Sequence, residues 1–512
     1  YVHTFAEKHT IDAKAVFTAA ENEGFNFEAY RKDYLSTTVD QLFAGSSIGM
    51  TNTGNAEEGG RLGFVGRLKY DYANRYYIEG SFRYDGSDNF APGHRWGFFP
   101  SVAAAWDITE EPFFKNLNLK NINLLKLRAS YGTTGTETNV NRFGYLSTYN
   151  MVENAVCIGG NLISGFNEGA LVSPDLLSWY TRRSLNIGID GSFLDNKLKG
   201  SADYFFYVTK GGLTSPADRY ITPLGTKLPQ IKSDNEHRRE GFELSLRWSD
   251  KIGSDIDYEI GANMISYRNL WVTNRGEGLS QLKNPYQRNT HQSDYLGLYL
   301  LDNGLYQSIE QVLGVPRRPE STETKLGDIV YQDINGDGKI NSEDKVRYGM
   351  PIDPHFTYGV DFLFAYKGFT LSGLFYGTGK RHMMFGVNAR KAESQYVKNK
   401  FQLDYWREDN RNATFPRISM VAGVNGENNR IESTFYLRNA AFLRLKNLSL
   451  TYDFKHKLLK SAKWLSTCQV SLTGSNLFTI SGVSDYWDPE TTNTNGGYPT
   501  SRIYSLGVTL GF

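Results

Sequence analysis

The stretch Arg502-Ile503-Tyr504-Ser505-Leu506-Gly507-Val508-Thr509-Leu510-Gly511-Phe512 decides the fold. Tyr504, Leu506, Val508, Leu510 and Phe512 alternate with Ser505, Gly507, Thr509 and Gly511. In an extended chain this puts the apolar and aromatic side chains on one face and the small or polar ones on the other. The same period of two recurs upstream. Leu62, Phe64, Leu68, Tyr70 and Tyr72 alternate with Gly63, Arg67, Lys69 and Asp71. Leu125, Leu127, Ala129 and Tyr131 alternate with Lys126, Arg128, Ser130 and Gly132, and Phe242, Leu244, Leu246 and Trp248 with Glu243, Ser245, Arg247 and Ser249. Phe356, Tyr358, Val360, Phe362, Phe364 and Tyr366 form a further stripe. Tilted strands of about ten residues match the hydrocarbon thickness of a bilayer, whereas strands of soluble sandwiches run nearer to about five or six.

The connections sharpen this reading. Counting back from Phe512, strands fall near 502–512, 467–480, 438–454, 369–378, 355–366, 256–268, 239–249, 197–208, 182–193, 122–133, 97–107, 75–85, 62–72, 11–20 and 1–8. Short turns at Ala73-Asn74, Asp195-Asn196 and Lys367-Gly368 carry hairpin chemistry. Long connections near 21–61, 134–181, 209–238, 269–354 and 379–437 alternate with them. Short turns at one end and long loops at the other are the asymmetry of an antiparallel transmembrane β-barrel, here an all-β fold over residues 1–512. With Phe512 on the periplasmic side, the long loops lie outside the cell. The count of about fifteen is odd, and an antiparallel bacterial barrel closes on an even number. The expectation is therefore a C-terminal portion of a barrel, with further strands upstream of Tyr1. The run 26–42 reads as a weakly amphipathic helix within the first long loop.

Composition excludes other classes. The 56 Lys+Arg against 55 Asp+Glu leave no basic surplus, so nucleic acid is not an expected partner. With 33 Tyr, 31 Phe, 8 Trp and 51 Gly, the chain suits twisted strands, turns and interfacial aromatics such as Trp106 and Trp248. No apolar run is long enough for a helical span. Cys157 and Cys468 form no framework, and whether they pair is open. The 8 His show no zinc spacing.

Several ordered segments resemble the SusC/RagA-type TonB-dependent outer-membrane transporters of Bacteroidetes. They are Arg75-Tyr76-Tyr77-Ile78-Glu79-Gly80-Ser81-Phe82-Arg83-Tyr84-Asp85-Gly86-Ser87, then Trp96-Gly97-Phe98-Phe99-Pro100-Ser101, Ala105-Trp106 and Glu110-Glu111-Pro112-Phe113. Leu127-Arg128-Ala129-Ser130-Tyr131-Gly132-Thr133-Thr134-Gly135, Gly327-Asp328-Ile329 through Asp333-Ile334-Asn335-Gly336-Asp337-Gly338, Phe442-Leu443-Arg444-Leu445-Lys446-Asn447-Leu448 and Asp488-Pro489-Glu490 continue the series. The resemblance implies a barrel of roughly 22 strands, of which this chain supplies the C-terminal fifteen or so, with the N-terminal plug domain absent from it. It implies active import of a large nutrient, a glycan or oligosaccharide, with a SusD-like surface lipoprotein as lid, TonB coupling through the plug, and pairing of transporter–lid complexes into dimers. Import of peptides by the same machinery is the alternative within the family. A passive porin or adhesin-like barrel and a secreted glycan-cleaving enzyme, which needs a carboxylate pair about 5–10 Å apart, are the alternatives outside it; the barrel reading carries no enzyme activity.

One constellation has ligand chemistry. Asp333-Ile334-Asn335-Gly336-Asp337-Gly338-Lys339-Ile340-Asn341-Ser342-Glu343-Asp344 follows the calcium-loop pattern. Asp333, Asn335 and Asp337 offer side-chain oxygens, Lys339 its carbonyl, and Asp344 closes the cage, although Asp at the last position is shorter than the usual Glu. The same residues also make a turn cluster without an ion. Trp406, Phe415, Tyr486, Trp487 and Tyr498 fall in outer loops, where they stack on sugar rings, pack against a lid, or pack the loops' own core. Arg67, Lys69, Arg83, Arg128 and Arg247 face the lumen, bonding a plug or lining the wall.

Overall fold

The structure, a computed structural model, describes residues 1–138, 140, 142–146, 148–168, 177–214, 231–391, 399–419, 424–491 and 497–512. Fifteen strands belong to one sheet whose hydrogen-bonded neighbours follow chain order. They are β1 (Val2–Phe5), β2 (His9–Lys32), β3 (Ser46–Tyr72), β4 (Tyr76–Ser87), β5 (Trp96–Asp107), β6 (Ile122–Thr136), β7 (Tyr180–Phe193), β8 (Leu198–Lys210), β9 (Glu236–Ile252), β10 (Ile256–Thr273), β11 (Phe356–Tyr366), β12 (Phe369–Thr378), β13 (Phe442–Asp453), β14 (Thr467–Ser481) and β15 (Ile503–Gly511). Each strand expected from alternation is present, and this sheet has fifteen strands among the described residues.

The chain divides into two compact units. The first holds Tyr1–Ala104, Ser130–Arg183 and Thr209–Asp234. In it β2 pairs antiparallel with β3 from His9↔Tyr72 to Lys32↔Ser46, and β3 with β4 from Tyr72↔Tyr76 to Arg61↔Ser87. The second holds Ala105–Ala129, Ser184–Val208 and Asn235–Phe512. There β9 to β15 pair successively and antiparallel, ending on β14–β15 from Thr467↔Gly511 to Ser475↔Ile503.

Hairpin turns explain the short connections. Ala73 and Asn74 both adopt left-handed backbone, with φ of 55° and 56°, and Lys367-Gly368 follow at 48° and 88°. Two consecutive positive-φ residues give the turn whose twist matches that of the flanking strands.

The segment 21–61 overturns its expectation. It is no open loop, and no helix spans 26–42; the pairing of β2 with β3 runs on through Glu21↔Gly60 and Phe25↔Ala56 to Tyr30↔Thr51. Only the turn Leu42–Ala44 is helical, as a single 3-10 turn. Because β4 stops at Ser87 opposite Arg61, this part of the ribbon continues past its neighbour. Weak amphipathicity loses to a full ladder with the Gly-, Thr- and Asn-rich partner strand, a case of pairing overriding local preference.

Burial is inverted relative to a soluble sheet. In the second unit Leu506 is 74% exposed and Val508 62%, with Leu246 and Leu472 exposed as well; in the first, Leu62, Phe64, Leu68, Ile78 and Phe98 are exposed. An apolar face exposed in this way is suited to lipid. Phe17, Phe64, Trp96 and Tyr84 stack in sequence along it, and the Trp248 indole donates to the Tyr258 hydroxyl at 3.0 Å. These placements fit an interfacial aromatic girdle.

Exchange of a lipid-facing side chain tests the assignment. Leu506→Arg in the full-length protein is expected to lower folding stability in lipid vesicles by about 2–4 kcal/mol if the position lies near the midplane, read by urea titration of the heat-modifiable folded band. Leu506→Phe is expected to leave it nearly unchanged; equal behaviour of the two would count against the lipid-facing assignment.

Candidate functional site

The polar face of the sheet carries an ordered set of ionic clamps. In the first unit Arg67 on β3 reaches Glu79 on β4 at 2.8 Å and Asp12 on β2 at 3.7 Å. In the second, Arg128 on β6 binds Asp190 on β7 at 2.7 and 2.8 Å and Asp203 on β8 at 3.1 Å. Arg247 on β9 contacts Glu259 on β10 and reaches Asp361 on β11 at 3.2 Å. Each arginine thus ties three successive strands through planar, forked bonding that lysine could not reproduce. Glycine makes room for the clamps. A Cβ on Gly188 would stand 2.4 Å from an Asp203 oxygen, and one on Gly261 2.5 Å from an Asp361 oxygen. Arg83 forms a bidentate pair with Asp85 on its own strand, and Lys69 lies over the Tyr77 ring. The expected lumen-facing cations therefore bond to wall carboxylates and a wall ring.

The connections 269–354 and 379–437 do not stay separate loops. Three small two-stranded sheets pair Gly297–Tyr299 with Val346–Tyr348, Asp302–Leu305 with Ile329–Tyr331, and His382–Met384 with Leu437–Asn439. Between them lies a hydrophobic core built on Leu300, Ile329, Tyr331, Ile340, Phe385 and Tyr436. Trp406 and Phe415 belong to this core and Tyr486 and Trp487 pack against it, with Phe415, Tyr486 and Trp487 around the Phe385 ring. They pack the loops' own interior and are not free for a ligand. Tyr498 alone of the five is exposed, at 87%.

Asp328 is the hub of this module. It is completely buried and takes an ion pair from Arg417 at 2.6 Å, side-chain amides of Asn425 and Asn429 at 2.7 and 2.8 Å, and the Lys325 amide at 2.9 Å. Its neighbour Gly327 sits at φ +80°, where a Cβ would press into the Trp406 ring. Ile329, third in the motif, is 1% exposed in the core. The Gly327-Asp328-Ile329 signature thus builds the loop module.

The 333–344 loop closes on itself. The Asp333 carboxylate accepts the Gly336 and Gly338 amides at 2.7 and 2.8 Å, Asn335 that of Asp337 at 3.0 Å, and Asp337 that of Lys339 at 2.8 Å. Asp344 is fully buried and accepts the amides of Ile334 and Asn341 at 2.9 and 2.8 Å. Gly336 and Gly338 both have positive φ. Each carboxylate oxygen keeps lone-pair capacity beyond one such bond. Among the described residues, however, no three His, Cys, Asp or Glu side chains are grouped to hold a metal ion. Asn335 and the Lys339 carbonyl are needed to complete any cage.

The last connection is pinned by Arg444 on β13, 1% exposed and ion-paired to Asp488 and Glu490 at 2.7 Å each. Burial alone would raise the Asp488 carboxyl, but the Glu490 amide and Arg444 outweigh it and hold it below the usual carboxylate range. Both cysteines are free thiols.

Comparison with known proteins bears on this geometry. The family described as TonB dependent receptor-like, beta-barrel matches residues 4–477. The chain belongs to that family. TonB-dependent receptor P3 of Formosa agariphila is 27% identical over 97% of this chain and 50% of its own length. TonB-dependent receptor SusC of Bacteroides thetaiotaomicron is 26% identical over 88% of this chain and 44% of its own. The chain spans about half the length of the curated relatives it matches. A solved structure of the RagAB peptide importer superposes with a TM-score of 0.79 at 23% identity, covering 100% of this chain and 54% of that one, which supports the fold.

This TonB-dependent receptor barrel is an outer-membrane protein of a receptor and transporter family, so the glycan-cleaving alternative falls away. Alternation and turn chemistry located the strands, and motif resemblance located Asp328 and Arg444 without their roles. The Asn425, Asn428 and Asn429 side chains that hold residues 321–331 carry no periodic signal and were missed. They act across about one hundred residues of chain (for example Asn425 to Asp328, separated by 97).

Removing the hub should release the loops while sparing the sheet. Asp328→Ala leaves Arg417 buried and uncompensated, an expected cost of about 3–5 kcal/mol. Limited proteolysis is then expected to cut within 269–437 in the variant and not in the parent, with the barrel band retained. Parent-like resistance would show that the hub does not hold the module.

Proposed function

We propose that the complete protein imports a bulky, largely uncharged nutrient across the outer membrane, a glycan or its oligosaccharides, under TonB-coupled energy. The observation that carries this reading is the neutralised wall: Arg67, Arg128 and Arg247 each bind carboxylates of neighbouring strands. A surface of paired charges offers many hydrogen-bond donors and acceptors and little net field, which suits polyhydroxylated solutes. A SusD-like lipoprotein is proposed as the lid, seated on the outer loops, with dimers of transporter–lid pairs as the assembly. The loop module gives such a lid an ordered surface, since its aromatic residues already fill its own core. The glycan choice comes from the resemblance to SusC/RagA-type transporters, and one relative bears the name SusC. The peptide importer among the structural matches keeps peptides as the competing cargo.

The test is accumulation of fluorescent oligosaccharides and peptides by cells carrying the full-length protein and its lid, with and without TonB. Oligosaccharide uptake that vanishes without TonB is the expected result. Peptide uptake alone would replace the glycan by a peptide, and uptake unaffected by TonB loss would favour a passive pore.

We also propose that the 333–344 loop takes calcium through Asp333, Asn335, Asp337, the Lys339 carbonyl and Asp344. The spacing of oxygen ligands and the two positive-φ glycines support it. The ion would add to a turn already closed by its own amides, so it is expected to slow proteolysis there rather than create the fold. Addition of EDTA should expose new cleavage within 329–345 and excess calcium should reverse it; identical digestion patterns would remove the ion from the account.

A further inference from the structure

The first unit contains a recess of about 720 Å³ on its polar face, bordered by β2, β3, β4, β5, the end of β6 and the segment entering β7. Its volume falls within the roughly 300–1,000 Å³ of small-molecule sites. Arg83, Asp85, Phe99 and Ser101 lie in segments that carry the family resemblance, whereas Trp179 does not. Its character comes from Trp179, Phe99, Arg83, Asp85, Ser101 and Thr18.

Trp179 is held as a rigid platform. Its indole nitrogen donates to the Arg95 carbonyl at 2.9 Å. The ring packs against Phe90 at 5.2 Å between centroids and meets Phe99 edge-on at 5.5 Å. Phe90 is fully buried and Phe99 nearly so, whereas Trp179 is only half-buried. Lys232 fixes the backbone behind it, donating to the Trp179 carbonyl at 2.7 Å and to the Ser178 hydroxyl at 2.9 Å. Glycine keeps the recess open. A Cβ on Gly97 would lie 3.0 Å from the Trp179 ring, and one on Gly135 2.0 Å from the Phe99 ring.

Each arginine lining this recess is paired with a carboxylate. Arg83 spends Nε and Nη2 on Asp85 at 2.9 and 3.0 Å, leaving Nη1 as a donor and spare lone pairs on Asp85 as acceptors. Arg67 is matched by Glu79 and Asp12, and Arg61 contacts Glu137. Ser101 and Thr18 add hydroxyls that donate or accept. A fixed aromatic face ringed by two-way hydrogen-bonding groups is complementary to a pyranose, which offers C–H bonds on one face and hydroxyls around its edge. The arginines lining it are already engaged by carboxylates, which leaves them little pull on the termini of a peptide or on an anion.

We propose that this recess is a wall subsite for a short, uncharged stretch of oligosaccharide, stacked on Trp179 and hydrogen-bonded by Arg83, Asp85 and Ser101. The proposal rests on the glycan reading above and adds a location to it. Calorimetric titration of the full-length transporter, purified with its lid, tests it with maltoheptaose, laminarihexaose and xylohexaose as neutral probes and an uncharged capped hexapeptide as control. At least one oligosaccharide is expected to bind. Trp179→Ala should then weaken binding about tenfold or more, as expected for loss of a well-packed aromatic contact, while Trp179→Phe should retain most of it. Ser81→Trp, which places a large ring at another lining position of the recess, should weaken the same binding. Folded-band migration and lid retention check each variant. Oligosaccharide binding of equal strength in all three variants overturns the subsite and leaves the glycan reading intact. Binding of the hexapeptide alone overturns the glycan reading and the subsite with it, and binding of no probe overturns the subsite.

Discussion

Backbone hydrogen bonding in hydrocarbon is the constraint on which the rest of this structure depends. Inside a bilayer an unpaired N–H or C=O costs several kcal/mol, so a chain that crosses as strands must pair along its whole length. The ladders from β2 to β4 and from β9 to β15 meet that demand with few breaks. Register interruptions fall at Tyr30/Lys32, Glu236/His237, Leu374/Phe375 and Leu445/Asn447, the last two around Lys446 on β13. Once pairing is satisfied, the period of two sends alternate side chains to lipid and to the polar face.

The polar face has its own problem, since charged groups on a wall must be compensated. Arginine forks solve it by spanning three strands at a time, as Arg128 does with Asp190 and Asp203. Small residues beneath the forks are part of the device, because a methyl at Gly188 or Gly261 would collide with the carboxylates. At these positions the wall carries paired charges, and this underlies the proposed cargo.

The long connections answer a different constraint. They leave the bilayer and must bury something to stay ordered, and they do so by forming a core around Phe385 and a buried acid at Asp328. Aromatic residues that a reader of the sequence would offer to a ligand are consumed in that core. Arg444 with Asp488 and Glu490 extends the same logic to the last connection, an ion cluster buried where loop meets strand.

The number of strands, their faces, the hairpin turns and the membrane assignment were all legible in the sequence, because pleating converts order along the chain directly into faces of a sheet. So was the 333–344 turn, whose partners lie within a dozen residues of one another. The ribbon at 21–61, the fusion of two loops into one module, and the fates of Trp406 and Trp487 were decided by tertiary structure. So was the juxtaposition of Trp179 with Arg83 and Asp85. Each depends on contacts between segments far apart in the chain, such as Asn428 with Ile329, and no local period encodes which distant segment will supply the partner.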